Sequence, residues 1–328
     1  MILSDAPLTT RNEFDWRNRR VAALLILATL SAAAAGCTSP SPPPAQEDIG
    51  PDGMLIATTA GAGVLLRHAE TGAPVRTLAG GHDAPVLAVH FSASGDRLVS
   101  GDQAGRIVVW NPSDGSVVAT LLGHRGAVRA FATRAGVPDL ASGSDDGTVR
   151  LWDLGTAKEV RALPGHAGPV YGLTLAPDGR TLASTSGDRT VRLWDVETGS
   201  VLRTLAGHAA AVRAADFDGG GTRLATGDDG GEIKLWDLKA GTELRSMKAA
   251  KGPVLNVFLT RNGRWILAYQ SYRDPSSGTT ANPLSIWNAS TGEIEVSDYL
   301  FEAAVEPPDW PFRAVYREVA DRVAHRPR

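Results

Sequence analysis

Four histidines in this 328-residue chain recur at a constant interval, and each precedes a hydroxyl residue and a tryptophan at constant offsets. Consecutive histidines are 42 residues apart (124−82, 166−124 and 208−166), and each tryptophan follows its histidine by 28 residues. The histidines are His82, His124, His166 and His208, and the tryptophans are Trp110, Trp152, Trp194 and Trp236. An aspartate completes the set in two segments, which contain His124, Ser142, Asp146 and Trp152, and then His166, Ser184, Asp188 and Trp194.

Serine, histidine and aspartate are the residue types of a catalytic triad, in which the histidine takes the serine proton and the aspartate orients the imidazole. The same types also form a structural network. A histidine between a carboxylate and a hydroxyl keeps one tautomer, and the hydroxyl accepts a hydrogen bond from a buried indole N–H. A catalytic site is singular, whereas this set recurs. We therefore interpret the set as a structural lock and predict no catalytic residue.

The segment from Gly165 to Leu205 shows which elements must position these side chains. It contains four short apolar runs separated by turn residues such as Pro177-Asp178-Gly179, which favour leaving extended structure. The runs are Val170–Leu175, Thr181–Ser184, Val191–Trp194 and Val201–Leu205. Each repeat therefore predicts one four-stranded antiparallel meander, and a repeat of this period is typical of propellers.

With their glycine-histidine start and tryptophan-aspartate end, these units resemble the WD-repeat family of β-propellers over roughly residues 50–296. The resemblance implies an all-β propeller of four-stranded antiparallel blades. We expect six blades, with seven as the alternative if the C-terminal segment adds strands. It also implies that the four-residue set locks each blade. By this comparison Ala104 and Gly230 occupy the position of the locking acid in the units that begin at His82 and His208, so that these two locks lack a carboxylate.

The first and last units depart from the pattern. In the first, the innermost strand would fall on residues 44–49, which are poor strand material, and Arg67 replaces the tryptophan. We expect another segment, such as the C terminus, to complete this blade, because ring closure removes exposed sheet edges. In the last unit Ala250 and Ala268 replace the histidine and the hydroxyl residue, and nine residues are inserted, since 287−268 is 19 whereas 194−184 is 10.

The resemblance further assigns side chains to the face that the family uses most for binding. An inner-strand position gives Leu87, Arg129, Tyr171, Arg213 and Leu255, and the position before the locking acid gives Gln103, Asp145, Gly187 and Asp229. The inserted loop adds Tyr272 and Arg273. Arginine and tyrosine are enriched in interaction hot spots, and long loops on rigid scaffolds often carry function. We predict partner binding by Arg129, Tyr171, Arg213, Asp145, Asp229, Gln103, Tyr272 and Arg273. The alternatives are a solvated rim and a tolerated polar insertion.

The N-terminal residues predict export. Arg19 and Arg20 precede an apolar run, Val21–Ala35, that is too short for a membrane span of about 20 residues. The run leads to Cys37, the only cysteine, and resembles the signal peptide and lipobox of bacterial lipoproteins, with Ala34 in place of the usual leucine. The resemblance implies a signal peptide over residues 1–36, a lipid on Cys37 and a proline-rich linker over 37–49. Ordinary secretory cleavage is the alternative.

The C-terminal residues 297–328 predict an extension with a short amphipathic helix. Its apolar residues fall at helical spacing after a proline that suits a first turn. They are Phe312, Val315, Tyr316, Val319 and Val323. We expect this helix to pack on the outside of the propeller, and a membrane-surface role is the alternative.

Taken together, the sequence predicts a non-catalytic protein–protein interaction scaffold, anchored by its lipid in a bacterial cell envelope. Where the organism has an outer membrane, we expect it at the periplasmic face, as a monomer within a larger complex; secretion is the alternative location. The net charge of −3 gives no general attraction to nucleic acid. No phosphate loop, metal-ligand cluster or cofactor motif is present in the sequence, so we expect no metal and no cofactor. The alternative function is a small-molecule or enzymatic site at the channel mouth, with Asp145, Asp229, Arg129 and Arg213 as its candidates.

Overall fold

The computed structural model describes residues 46–136, 139–249, 252–273, 280–281 and 283–299. Within these ranges the chain is all-β and forms six four-stranded antiparallel sheets, which we call blades 1 to 6 in chain order. The predicted lipidation site Cys37, the signal peptide and the C-terminal helix lie outside the described residues. The described ranges contain no helix long and apolar enough to cross a membrane.

Each blade is a meander of consecutive strands, except that a small hairpin interrupts blade 6. Blade 1 consists of β1 (Glu47–Ile49), β2 (Leu55–Ala60), β3 (Gly63–His68) and β4 (Pro74–Leu78). Blade 2 consists of β5 (Val86–Phe91), β6 (Leu98–Asp102), β7 (Ile107–Trp110) and β8 (Val117–Leu121). Blade 3 consists of β9 (Val128–Thr133), β10 (Leu140–Ser144), β11 (Thr148–Asp153) and β12 (Lys158–Pro164).

The remaining blades follow the same order. Blade 4 consists of β13 (Val170–Leu175), β14 (Thr181–Ser186), β15 (Thr190–Asp195) and β16 (Val201–Ala206). Blade 5 consists of β17 (Val212–Phe217), β18 (Arg223–Asp228), β19 (Glu232–Asp237) and β20 (Thr242–Lys248). Blade 6 consists of β21 (Val254–Leu259), β22 (Trp265–Gln270), β25 (Leu284–Asn288) and β26 (Ile294–Tyr299), and its inserted hairpin pairs β23 (Tyr272–Arg273) with β24 (Thr280–Ala281).

The predicted meander over residues 165–205 is confirmed by blade 4. Strand β13 spans the predicted residues, and the other three strands extend the predicted runs by one or two residues at their ends. The turns after β13 and β15 contain Gly179 and Gly199, at φ 65° and 74°. Side chains other than glycine rarely adopt this left-handed conformation, so these two residues fix where the strands reverse.

Burial explains why the apolar runs form strands. The second strand of a blade is covered on both faces, and every residue of β6 and of β22 is buried. The outermost strand is exposed except near its end, where Leu78 in β4 and Met247 in β20 are buried. Five apolar clusters join consecutive blades from 1–2 to 5–6. Burial of these clusters supplies most of the favourable free energy for packing one blade on the next.

The innermost strands of all six blades surround one central channel. They line a cavity of about 810 Å³ that extends from Asp48 in β1 to Leu259 in β21. A common cavity excludes an open row of stacked modules, because the first and last modules of a row would not share one. The expectation of six blades in a propeller is therefore confirmed over the described residues.

Blade 1 corrects one expectation. We expected another segment to complete it, but β1 itself occupies the innermost position and pairs with β2 through Glu47–Thr58 and Ile49–Ile56. This poor strand sequence is held from both sides. The Asp48 carboxylate accepts the Phe91 N–H of blade 2 at 2.7 Å and lies 3.1 Å from the His90 ring. These bonds to blade 2 offset the weak strand propensity of the sequence.

Candidate functional site

A β-bulge in the innermost strand of five blades turns one side chain out of the ladder. In β5 the pairing with β6 passes from Val86 directly to Ala88, so that the residue between them is skipped. Bulges re-aim side chains in this way at many functional sites. The skipped residues are Leu87, Arg129, Tyr171, Arg213 and Leu255. These are the channel-mouth positions inferred from the sequence, and we call the end of the ring that carries them the top face.

Two of these residues are arginines held by aspartates of their own blades. Arg129 donates from Nε to Asp145 Oδ1 at 2.9 Å and from Nη2 to Asp145 Oδ2 at 2.8 Å. Arg213 binds Asp229 in the same two-point geometry, at 2.7 and 2.8 Å. These hydrogen bonds raise the pKa of both arginines. Each guanidinium is thus fixed in one orientation while about a third of its side chain stays exposed, 36% for Arg129 and 37% for Arg213.

Tyr171 lies between the two arginine–aspartate pairs. The guanidinium carbon of Arg213 is 3.9 Å from the centre of the Tyr171 ring, a cation–π contact. Blade 4 has Gly187 where the neighbouring blades have the paired aspartates, and a Cβ there would lie only 3.3 Å from the Tyr171 ring. The small residue leaves room for the ring. Blades 3, 4 and 5 therefore present one rigid, polar and aromatic arc, which we call the charged arc.

The rest of the top face is uncharged at the matching positions. Leu255 of blade 6 and Gln103 of blade 2 are exposed, and Leu87 is partly exposed. Residues Tyr272 and Arg273 form β23 next to blade 6, where the Ser271 N–H donates to the Pro253 carbonyl at 2.9 Å. The backbone of the inserted hairpin thus starts beside the first residues of β21, at the top face. The structure brings Arg129, Asp145, Tyr171, Arg213 and Asp229 together, whereas Gln103 belongs to the neighbouring blade 2.

The four histidines occupy the same buried position in blades 2 to 5. In blade 3, His124 Nδ1 is 2.9 Å from Asp146 and its Nε2 is 2.7 Å from Ser142 Oγ, which accepts the Trp152 indole N–H at 2.8 Å. In blade 4, His166, Asp188, Ser184 and Trp194 repeat these contacts at 2.8, 2.7 and 2.8 Å. An ionised aspartate only accepts hydrogen bonds. The proton is therefore on Nδ1, and the serine hydroxyl donates to Nε2.

The expectation that blades 2 and 5 lack the acid is wrong. His82 Nδ1 lies 2.8 Å from Asp102, and His208 Nδ1 lies 3.0 Å from Asp228. These aspartates stand two residues before Ala104 and Gly230, at the ends of β6 and β18. The hydroxyl and indole complete both networks through Ser100 with Trp110, and through Thr226 with Trp236. All four locks are therefore complete.

Blades 3 and 4 take the lock carboxylate from one sequence position, and blades 2 and 5 take it from a position two residues earlier. In blades 3 and 4 the residue two before the acid is a serine, Ser144 or Ser186, which donates to a backbone carbonyl of the loop that follows the histidine. In blade 2 that position is Asp102 itself, whose second oxygen accepts the N–H groups of Ala104 and Arg106, each at 2.9 Å. Either arrangement places one carboxylate against the same imidazole nitrogen.

This geometry opposes catalysis by the histidines. Burial lowers the pKa of all four, although their aspartates act in the opposite direction. The lock hydroxyl residues Ser100, Ser142, Ser184 and Thr226 are fully buried, and each oxygen already accepts an indole N–H. A nucleophile needs contact with its substrate, and none of these oxygens has room for one.

One group among the described residues has the composition of a metal site. His208, Asp228 and Glu232 lie within 4.8 Å of one another. Each residue already has a partner, since Asp228 pairs with His208 at 3.0 Å and Glu232 forms an ion pair with Lys234 Nζ at 2.9 Å. A divalent cation here would face the lysine ammonium and displace the lock hydrogen bond. We interpret the group as part of the blade 5 lock.

These features define a β-propeller in which buried histidine, carboxylate, hydroxyl and indole groups hold blades 2 to 5. The chain also matches the family model described as WD domain, G-beta repeat, over residues 72–111, 115–153, 157–195 and 199–237. The chain therefore belongs to the WD-repeat family. Each match begins near the outermost strand of one blade and ends at the third strand of the next. A search of curated proteins found no match to the chain.

Proposed function

We propose that this protein is a non-catalytic scaffold that binds other proteins or peptides through its top face. WD40 propellers are typically protein-interaction scaffolds. The observation that carries the proposal is the charged arc, in which Arg129 and Arg213 are each fixed by an aspartate and flank Tyr171. Arginine and tyrosine dominate binding hot spots because they combine apolar area with directed polar groups.

Fixing these side chains before binding favours affinity. A free arginine loses rotamer entropy when a partner immobilises it, at roughly 0.5–1.5 kcal/mol per side chain. The two-point bonds to Asp145 and Asp229 already restrict the arginines in the free protein. Each guanidinium keeps unbound N–H groups that can donate to a partner, while the paired carboxylates cancel its net charge. We expect the charged arc to contribute hydrogen-bond specificity more than long-range attraction.

We also propose that the protein is held in a bacterial cell envelope by a lipid on Cys37. The support is the sequence alone, where arginines, a short apolar run and small residues precede the single cysteine. Several acyl chains would anchor the protein far more firmly than one. Changing Cys37 to Ala should move the protein from the membrane fraction to the soluble fraction, and unchanged membrane association would refute the anchor.

The binding proposal is tested by chemical crosslinking in intact envelopes, read by mass spectrometry. The test variant combines Arg129→Gln, Tyr171→Ala and Arg213→Gln. A matched control is Arg180→Gln, which removes an arginine–aspartate pair (Arg180 with Asp195 at 2.9 Å) outside the top face. The wild type and the control should capture the same partners, and the triple variant should lose them with a melting temperature close to that of the control. Partners that persist on the triple variant would place the binding surface elsewhere.

A further inference from the structure

Five of the six junctions between neighbouring blades share one construction, and the sixth does not. Each of the first five buries an apolar cluster between consecutive blades, as where Leu66 and Leu78 of blade 1 meet Phe91 and Trp110 of blade 2. Within the described ranges no such cluster joins blade 6 to blade 1. The described strands of blade 6 pack closely against blade 5 but make no comparable contact with β1 and β2 of blade 1. We call the junction between blades 6 and 1 the seam.

Hydrogen bonds from one blade to the innermost strand of a neighbouring blade show the same difference. Phe91 N–H donates to Asp48 across the first junction at 2.7 Å, and Leu259 N–H donates to Asp216 across the fifth at 3.1 Å. Thr185 donates to the Arg213 carbonyl across the fourth at 3.2 Å. Among the residues that the structure describes, no hydrogen bond of this kind crosses the seam.

At four of the first five junctions, all except that between blades 2 and 3, an arginine also crosses the outer rim. Arg76 donates to the Asp114 carbonyl of blade 2 at 2.7 Å, and Arg245 donates to the Ser290 carbonyl of blade 6 at 2.6 Å. Each arginine crosses above a turn glycine of the next blade, with Arg76 above Gly115 at the first junction. The corresponding glycine of blade 1 is Gly72, and nothing lies within 4 Å of the position that its Cβ would take. The rim contact is thus also missing at the seam.

The two faces that meet at the seam do not match. Blade 6 presents Leu267, Leu284 and Ile286, at the positions that blade 5 fills with Ala225, Ile233 and Leu235 against blade 6. Blade 1 presents Glu47, Thr58 and Arg67 where blade 6 has Val257, Ala268 and Trp287 against blade 5, and it keeps the apolar residues Ile49 and Ile56 where blade 6 has Leu259 and Ile266. An apolar face thus opposes one with three polar or charged positions, and direct packing would leave Glu47 and Arg67 against aliphatic side chains.

The blade 6 face is nevertheless removed from solvent, and the blade 1 face is partly so. Leu267, Leu284 and Ile286 are 4%, 1% and 3% exposed, although they belong to none of the five clusters. Glu47 binds Thr58 through one oxygen at 3.0 Å, while its other oxygen is buried without a hydrogen-bond partner. Burial raises the pKa of this carboxyl. The Arg67 guanidinium acts in the opposite direction on this pKa. The seam therefore calls for an occupant that is apolar toward blade 6 and donates a hydrogen bond to the second Glu47 oxygen.

We propose that the C-terminal segment, residues 300–328, occupies the seam and closes the ring between blades 6 and 1. The chain leaves blade 6 at Tyr299, the end of its outermost strand, and 29 residues follow (328−299). They contain the apolar set Phe312, Val315, Tyr316, Val319 and Val323 and the basic residues Arg313, Arg317 and Arg322. The apolar set covers Leu267, Leu284 and Ile286, and an arginine pairs with Glu47. This location replaces the outer surface expected from the sequence.

The lengths are compatible with this location. A helix over residues 309–323 would be about 22 Å long at 1.5 Å per residue, close to the roughly 20 Å of a six-residue strand. The nine residues 300–308 reach up to about 30 Å when extended. Crossing a four-stranded blade from its outer to its inner strand needs only about 14 Å at 4.8 Å per strand spacing. The connection therefore reaches any depth of the seam.

The first test is photo-crosslinking in the purified full chain with benzoylphenylalanine in place of Val315. We expect intramolecular crosslinks to peptides that contain β22 and β25 of blade 6, or β1 and β2 of blade 1. The control carries the same group in place of Leu122, an exposed residue after blade 2, and should give no crosslink to these strands. Crosslinks from position 315 to blades 2–5, to a second copy or to no protein peptide would overturn the proposal.

The second test compares the full chain with a chain that ends at Tyr299, by hydrogen–deuterium exchange. Loss of the segment should raise exchange at least tenfold in blades 1 and 6 and leave blades 3 and 4 near the full-chain rate. A synthetic peptide of residues 300–328, added in trans, should restore protection at the seam. Unchanged exchange in blades 1 and 6 would contradict the proposal. If the shortened chain does not fold, the crosslinking result decides alone.

Discussion

Asp102 of blade 2 provides a direct test of the claim that the lock carboxylate can come from either of two sequence positions. Asp102 makes three hydrogen bonds from a fully buried position, one to His82 at 2.8 Å and two to the N–H groups of Ala104 and Arg106 at 2.9 Å. Each is worth about 1 kcal/mol net, and buried donors left without a partner add to the loss. We expect Asp102→Ser to lower the free energy of unfolding by about 3 kcal/mol. For a domain of this size that is roughly 6–12 °C in melting temperature.

The same change should be repaired by moving the acid. The double variant Asp102→Ser with Ala104→Asp reproduces the Ser144 and Asp146 arrangement of blade 3. It should recover at least half of the loss, while Ala104→Asp alone should change stability by less than about 1 kcal/mol. Urea unfolding followed by circular dichroism measures all three variants. Asp83→Ser, an exposed acid in the same blade that pairs with Arg106 at 2.8 Å, is the control and should change little. A double variant no more stable than Asp102→Ser would refute the claim that either position can supply the carboxylate.

Two further predictions concern acid stability and the rim. Burial lowers the pKa of the four lock histidines below 6.5, so in mild acid the unfolded chain binds protons that the folded chain does not. The melting temperature should therefore be constant above about pH 7 and fall as the pH drops below 6.5. A melting temperature that stays constant down to pH 5 would contradict the assignment. Burial alone would raise the pKa of Asp146 and Asp188, but hydrogen bonds lower both to about 2 from 3.8, so their contribution should be lost only between these values. At the rim, Gly199→Ala should cost at least about 1 kcal/mol in unfolding free energy, because φ is 74° and the Arg161 side chain lies above the glycine. Adding Arg161→Ala should recover part of this cost, because the two alanines then match Ala119 and Ala157 at the junction of blades 2 and 3. If stability does not recover, the Arg161 side chain is not what requires glycine at position 199.

The repeat pattern predicted the strands because one period carried both apolar runs and turns. It predicted the locks of blades 3 and 4 for the same reason. The repeat pattern failed to predict the locks of blades 2 and 5, because it looked for an acid at one fixed sequence position. The imidazole requires only that some carboxylate lies within hydrogen-bond distance. The signal was present: Asp102 and Asp228 each stand 20 residues after their histidine (102−82 and 228−208), where the other two blades have serine.

The top face was predicted residue by residue but not as pairs. The sequence placed Arg129 and Arg213 in one column and Asp145 and Asp229 in another, without indicating that they bind each other. The pairing could have been found, because the arginine column and the aspartate column change together. Blade 4 has Tyr171 with Gly187, and blade 2 has Leu87 with Gln103. Strand β1 escaped prediction because its stability comes from Asp48 bonding to blade 2 rather than from its own propensity.

The claim on which the account depends most is that the recurring histidines are structural in all four blades. Long-range nitrogen–proton NMR spectra of the protein labelled with ¹⁵N-histidine test it directly, because they distinguish imidazole tautomers. His82, His124, His166 and His208 should all show a neutral ring protonated on Nδ1, with the same pattern from pH 8 to pH 7. One histidine that differs from the other three in tautomer, or that titrates near pH 6.5, would contradict the account and identify a ring available for chemistry.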